Sequence, residues 1–120
     1  MNKYKQGDII YITFDPADGH EIKKRRPALV MSRDEYNLSS NLVIVCPITS
    51  TRKTAPYLIS LTQPVQQGLL KPHSKVNAAQ IYSLDVGVTS HRKPEKICKL
   101  NNLEFLYVAQ IMLQNFNFPF

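Results

Sequence analysis

The chain has 120 residues, 43% of them hydrophobic, which is enough for one core and hardly for two, so a single domain over 1–120 is expected. No apolar run approaches the roughly 18 residues of a membrane span, and the opening Met1-Asn2-Lys3-Tyr4-Lys5-Gln6 lacks the apolar stretch of a signal peptide. A soluble, cytoplasmic protein is expected. With 15 Lys plus Arg against 9 Asp plus Glu, the net charge of +6 favours an anionic partner, nucleic acid ahead of an acidic protein segment. Cys46 and Cys98 stand far apart in apolar segments, without histidines at ligand spacing, and read as reduced thiols rather than a disulfide or a metal site.

In chain order, Ile9-Ile10-Tyr11-Ile12-Thr13-Phe14 has the β-branched and aromatic composition of a strand, ended by Asp15-Pro16. Residues 17–25 are polar, carry Gly19, His20, Glu21 and the start of the basic cluster Lys23-Lys24-Arg25-Arg26, and read as a long loop. A second strand is expected from Arg26 or Pro27 through Ser32, since proline starts strands but does not sit inside a central one. Leu42-Val43-Ile44-Val45-Cys46-Pro47-Ile48 is apolar at every position, so it is expected to be buried on both faces at the centre of the sheet. Tyr57–Leu61 and Ala79–Leu84 are further strand candidates, with Gly68, Pro72 and Gly87 breaking the chain between and after them.

Only the C-terminus reads as helix. Asn101 or Asn102 caps it, Glu104 stands at capping-box spacing from Asn101, and Leu103, Leu106, Ala109, Leu113 and Phe116 form one apolar stripe. Phe105, Val108 and Met112 form a second. A helix apolar on two sides is either sandwiched between core and partner, which would make a dimer, or deeply buried in one chain. Short strands followed by one terminal helix favour a small antiparallel β-barrel over a parallel α/β sheet.

Three segments carry chemistry. The first runs from Gly7-Asp8-Ile9-Ile10 through Phe14-Asp15-Pro16 and Gly19-His20-Glu21 to Arg26-Pro27-Ala28-Leu29-Val30-Met31-Ser32. The second is Cys46-Pro47-Ile48-Thr49-Ser50, and the third is Gln80-Ile81-Tyr82-Ser83-Leu84-Asp85. In this order they resemble the signature of the MazF/PemK toxins, the pairing of Arg-Pro-Ala-Leu-Val with Pro-Ile-Thr-Ser being the specific part. The resemblance implies an SH3-like barrel, a homodimer, cleavage of single-stranded RNA at short sites, and a cognate antitoxin with an acidic, disordered segment that blocks the groove.

Metal-free cleavage of RNA lets the 2′-OH attack the adjacent phosphate, and it requires a fixed cation and hydrogen-bond donors around the phosphoryl oxygens. Arg26 matches the family's catalytic arginine; its planar fork suits charge stabilisation, while a permanently charged group is a poor base. Thr49 matches the catalytic threonine, with Ser50 beside it as a second hydroxyl. His20 and Glu21 fall in the loop that covers the groove in the family, and His20 is the best proton shuttle on offer, since imidazole titrates near neutrality. Lys24, Arg25, Arg52 and Lys53 flank the catalytic pair and suit gripping of neighbouring phosphates, and Gln80 opens the third segment. Tyr11, Phe14, Tyr57 and Tyr82 are candidate stacking residues, of which one or two are expected to meet bases. No cluster of carboxylates or histidines is spaced to hold a divalent ion, and no cofactor is expected.

Two departures bear on base recognition: Ala79 stands where the family often has an acidic residue, and Tyr82 where a basic one often follows. A non-catalytic RNA-binding barrel is one alternative, since it would keep the basic groove without needing Arg26 paired to Thr49. A poison of gyrase like the CcdB-type toxins is the other, and it is disfavoured because the chain has no Trp and ends Asn117-Phe118-Pro119-Phe120.

Overall fold

The computed structural model describes residues 2–14 and 24–119. The expected roles of His20 and Glu21, and of Lys23 in the basic cluster, therefore fall outside the described residues. The chain forms β1 (Asp8–Thr13), β2 (Arg25–Val30), α1 (Asp34–Ser39), β3 (Leu42–Ser50), β4 (Leu58–Ser60), α2 (Thr62–Gln66), β5 (Ser74–Asn77), β6 (Tyr82–Asp85), β7 (Glu95–Lys99) and α3 (Asn102–Leu113).

The seven strands make one antiparallel sheet in the order β4-β5-β3-β2-β1-β7, with β6 also paired to β3. Its hydrogen-bonded path is open between β4 and β7 among the described residues. The fold class is the expected one, a mainly antiparallel β-sheet with a C-terminal helix, and among the described residues the sheet does not close into a barrel. The strand β3 is central, as its apolar run requires: one edge pairs with β2, and the other pairs first with β6 and then with β5.

Alternation along the central strands divides the core in two. Ile9, Leu29, Cys46 and Ile48 face one cluster, which α3 covers with Val108, while Ile10, Ile12, Ala28, Val30, Val43 and Val45 face the other. Both faces are covered, so β3 has no polar face to show.

Asn101 caps α3 by accepting the Glu104 backbone N–H at 2.9 Å. The Glu104 carboxylate takes the Asn101 amide and also the Thr62 N–H and hydroxyl, both at 2.8 Å, which ties the start of α3 to α2. The second stripe of α3 turns inward: Val108 is fully buried, with Phe105 and Met112 packed on the core. The first stays largely outside. Leu103, Leu106 and Leu113 are exposed, as is Tyr107, so α3 is not a deeply buried helix within one chain. Among the described residues no helix is long and apolar enough to cross a membrane.

Two expectations about elements change. Helices α1 and α2 are present besides α3, and β2 begins at Arg25, just before the expected start at Arg26 or Pro27. Neither short helix has a side-chain cap. Instead, α1 is held from outside itself by fully buried Asn37, whose amide donates to the Tyr4 carbonyl at 3.0 Å and accepts the Ser32 hydroxyl.

Candidate functional site

Strands β2 and β3 are laddered only at Ala28↔Pro47, Leu29↔Cys46 and Val30↔Val45. The next pair along would be Pro27 with Ile48, and Pro27, whose backbone faces β3, lacks the N–H that would carry the ladder further. Beyond Pro47, β3 pairs on its far edge with β5, while Arg26 and Pro27 keep only their pairing with β1. The two strands therefore part past Ala28↔Pro47, and a groove of about 470 Å³ opens in the split, lined by Arg26, Pro27, Thr49, Ser50, Lys71 and Lys96 among others. Continued in the same register, the ladder would set Arg26 opposite Thr49, and alternation puts both on the face of Ala28 and Pro47.

The four adjoining residues Arg25, Arg26, Thr49 and Ser50 differ in what they have left to offer. Arg26 is half-buried and makes no hydrogen bond or ion pair with any described residue, so its fork is unspent. Arg25, on the opposite face of β2, is already engaged. It donates to the Arg92 carbonyl at 3.0 Å, pairs with Glu95 at 3.1 Å and lies 4.9 Å over the Tyr11 ring. Thr49 is half-buried, and its hydroxyl bonds no described residue. The Ser50 hydroxyl donates to the Pro72 carbonyl at 2.6 Å, fastening the segment that carries Lys71 against β3.

Of the other expected residues, Arg52 and Lys53 are exposed past the end of β3 and do not line the groove. The Lys53 carbonyl accepts from the buried Lys75 ammonium at 2.6 Å, and Lys75 is the cross-strand partner of Thr49. Lys24 and Gln80 line a second depression of about 240 Å³ with Phe14, Pro47 and Tyr82, and Arg26 lines both hollows and so joins them.

The sequence reading missed Lys71, Lys96 and Glu95 in the groove wall. Lys96 is held by a buried carboxylate: its ammonium lies 3.3 Å from Asp8, whose other oxygen accepts the Lys5 N–H at 2.9 Å. No linear signal marks that pairing, because Asp8 and Lys96 come together only when β1 meets β7.

No three His, Cys, Asp or Glu side chains among the described residues converge to hold a metal ion. The cysteines are free, and burial pushes the Cys46 thiol up to about 12 and the Cys98 thiol up as well, so neither is a thiolate nucleophile near neutral pH.

The fold and site together define a small, basic, mainly antiparallel β-sheet protein with a guanidinium and two hydroxyls lining one open groove. The family model for the PemK-like, MazF-like toxin of type II toxin-antitoxin systems matches residues 5–116, and the chain belongs to that family. It is 33% identical over 63 residues to the endoribonuclease toxin MazF of Escherichia coli K12, a match covering 52% of this chain and 57% of that protein. It is 28% identical over 111 residues to endoribonuclease MazF9 of Mycobacterium tuberculosis, covering 72% and 94% respectively. In fold it is similar to MazF in a MazE–MazF crystal structure from Deinococcus radiodurans, with a TM-score of 0.76 at 29% identity over 92% of this chain and 93% of that one.

Proposed function

We propose that this protein is the toxin of a type II toxin-antitoxin system, a metal-independent endoribonuclease that cuts single-stranded RNA and so stops translation and growth. The observation that carries the reading is that Arg26 and Thr49 both line the groove at the split between β2 and β3 and bond no described residue through their side chains. A non-catalytic RNA-binding module would have no use for an unspent guanidinium and hydroxyl on one phosphate-sized spot. The relatives named endoribonuclease support the same class of reaction.

In this mechanism the 2′-oxygen attacks the adjacent phosphorus, the bond to the 5′-oxygen breaks, and the proton lost from the 2′-OH is balanced by one gained at the leaving 5′-oxygen. Arg26 binds the non-bridging oxygens through its fork and holds them harder as negative charge grows in the transition state. Thr49 donates a further hydrogen bond to the same group. Lys71 and Lys96 grip flanking phosphates, with Lys24 serving the strand on the far side of Arg26. His20 is the proposed proton shuttle, and Glu21 a proposed contact of the RNA.

Two partners belong to the reading. The exposed apolar side of α3 is proposed to meet a second copy of the chain in a homodimer, and the groove to take an extended acidic segment of an antitoxin. The cytoplasm, where RNA is translated, is the proposed location.

The test is incubation of the purified protein with single-stranded and duplex RNA in EDTA, followed by mapping of the ends. Cutting of the single strand alone, with chelator present, is expected. An inert protein, or activity that appears only on adding a divalent ion, would overturn the reading.

A further inference from the structure

We infer that the depression beyond Arg26, walled by Phe14, Tyr82 and Gln80, is a stacking subsite for one unpaired base of the RNA, next to the phosphate that Arg26 holds. The inference rests on the reading of the Arg26–Thr49 groove as an RNA site, and it turns on Tyr82, an exposed aromatic side chain in the wall of that depression.

Register places the walls on one face. The Phe14 N–H bonds the Lys24 carbonyl at 2.9 Å, Ile12 pairs with Arg26, Ala28 with Pro47, and Val45 with Tyr82. Alternation then carries the side chains of Phe14, Lys24, Arg26, Pro47 and Tyr82 to the same side of the sheet. The Phe14 and Tyr82 rings meet edge to face, with centroids 5.1 Å apart at 84°. In that arrangement one ring presents only its edge to its neighbour, which leaves aromatic surface uncovered. Phe14 packs on the core, whereas Tyr82 is 38% exposed, so burial does not explain why a large aromatic side chain stands there.

The size and polarity of the hollow also fit a base. At about 240 Å³ it is smaller than the clefts that take drug-sized ligands and suits a single ring system. The Gln80 side chain is exposed and makes no hydrogen bond to a described residue, so its donor and acceptor can both meet a base edge. Lys24 and Arg26 supply cations for the phosphate of the same nucleotide.

The hollow is also held in shape. Arg92 donates to the carbonyls of Thr13 and Phe14 at 2.9 and 2.6 Å, and β6 fixes Tyr82 against β3. A base within a duplex cannot reach such a wall, so the subsite selects unpaired strands.

The test uses a short single-stranded RNA selected from a random pool for binding to the full-length protein, carrying 2′-fluoro at every ribose so that it cannot be cut. Each base in turn is replaced by an abasic residue, and affinity is measured by fluorescence anisotropy for wild type, Tyr82→Ala, Tyr82→Leu and Tyr82→Phe. At one position the abasic change is expected to weaken wild type and Tyr82→Phe about 5- to 150-fold, the span of one base–aromatic stack. The same change should weaken Tyr82→Ala and Tyr82→Leu less than about 2-fold, because the stack is already gone. Tyr82→Leu keeps an apolar contact for Phe14, so a fold defect in the alanine variant does not decide the outcome.

If no position depends on Tyr82, the subsite is overturned. Cleavage of the all-ribose strand by wild type is read separately. Coupling without cleavage would strike the nuclease reading alone, and cleavage without coupling would strike the subsite alone.

Discussion

Arg25 and Arg26 are neighbours in sequence with opposite fates in the fold, and replacing each by alanine separates the proposed catalytic group from a structural one. Arg26 has no partner among the described residues, so Arg26→Ala forfeits no native contact of note and should change stability by no more than about 0.5 kcal/mol. Its loss falls on the transition state. Removing one donor to a developing oxyanion typically costs 10²–10³ in rate, and a charged fork belongs at the upper end, so about 4 kcal/mol, or roughly 1000-fold in kcat/KM, is expected. Arg26→Lys should recover little, since an ammonium cannot reproduce the fork.

Arg25→Ala should behave in the reverse way. It breaks the pair with Glu95, the bond to the Arg92 carbonyl and the contact over Tyr11. The Glu95 side chain is 76% exposed, so the ion pair itself adds little, and the combined loss is about 1–2 kcal/mol. That is a fall in melting temperature of roughly 4–8 °C, with cleavage below the transition reduced far less than in Arg26→Ala. Single-turnover cleavage and thermal melts on both variants provide the check. Near-normal cleavage by Arg26→Ala at wild-type melting temperature would refute the assignment.

Thr49→Val, which keeps the shape and removes the hydroxyl, should slow cleavage by about 10- to 100-fold while Thr49→Ser stays near wild type, a split read from kcat rather than KM. Asn101→Ala should cost about 1 kcal/mol by uncapping α3, measured by urea denaturation. The Cys46 thiol, raised from 9.0 to about 12 by burial, is neutral in the fold where the unfolded chain would ionise. Its contribution is therefore fully present below pH 9 and lost as pH rises toward 12, at up to about 1.4 kcal/mol per pH unit; Cys46→Ala should show a flatter decline over that window. Leu106→Asp on the exposed side of α3 should convert a dimer to monomers in sedimentation, with little change in helix content.

Much of the site was legible because the features that build it are local. The unbroken apolar run of Leu42–Ile48 demanded a strand buried on both faces, and β3 is that strand. Asn101 with Glu104 announced the start of α3. Arg26 and Thr49 were singled out from their motifs and both line the groove, and Pro27, next to Arg26, lacks the N–H that would carry the β2–β3 ladder past Ala28↔Pro47.

What was missed depends on contacts distant in sequence. Ser74–Asn77 has one aliphatic side chain and reads as a turn until β3 and β4 pair with it. Glu95–Lys99 is an edge strand with three charged residues in five and no period-2 alternation, a pattern that also suits a loop. The basic cluster looked uniform along the chain, yet of the two arginines lining the groove Arg25 is spent on Glu95 while Arg26 pairs with no described residue.

The most direct measurement of the central claim uses a DNA strand carrying a single ribose, offered to the wild-type protein and to Arg26→Ala in EDTA, with the product ends identified by mass spectrometry. The expected result is one cut by wild type, 3′ to that ribose, leaving a 2′,3′-cyclic phosphate and a 5′-hydroxyl, with the variant roughly 1000-fold slower. Cuts at deoxyribose positions, or a 3′-hydroxyl facing a 5′-phosphate, would contradict attack by the 2′-OH at the Arg26–Thr49 groove.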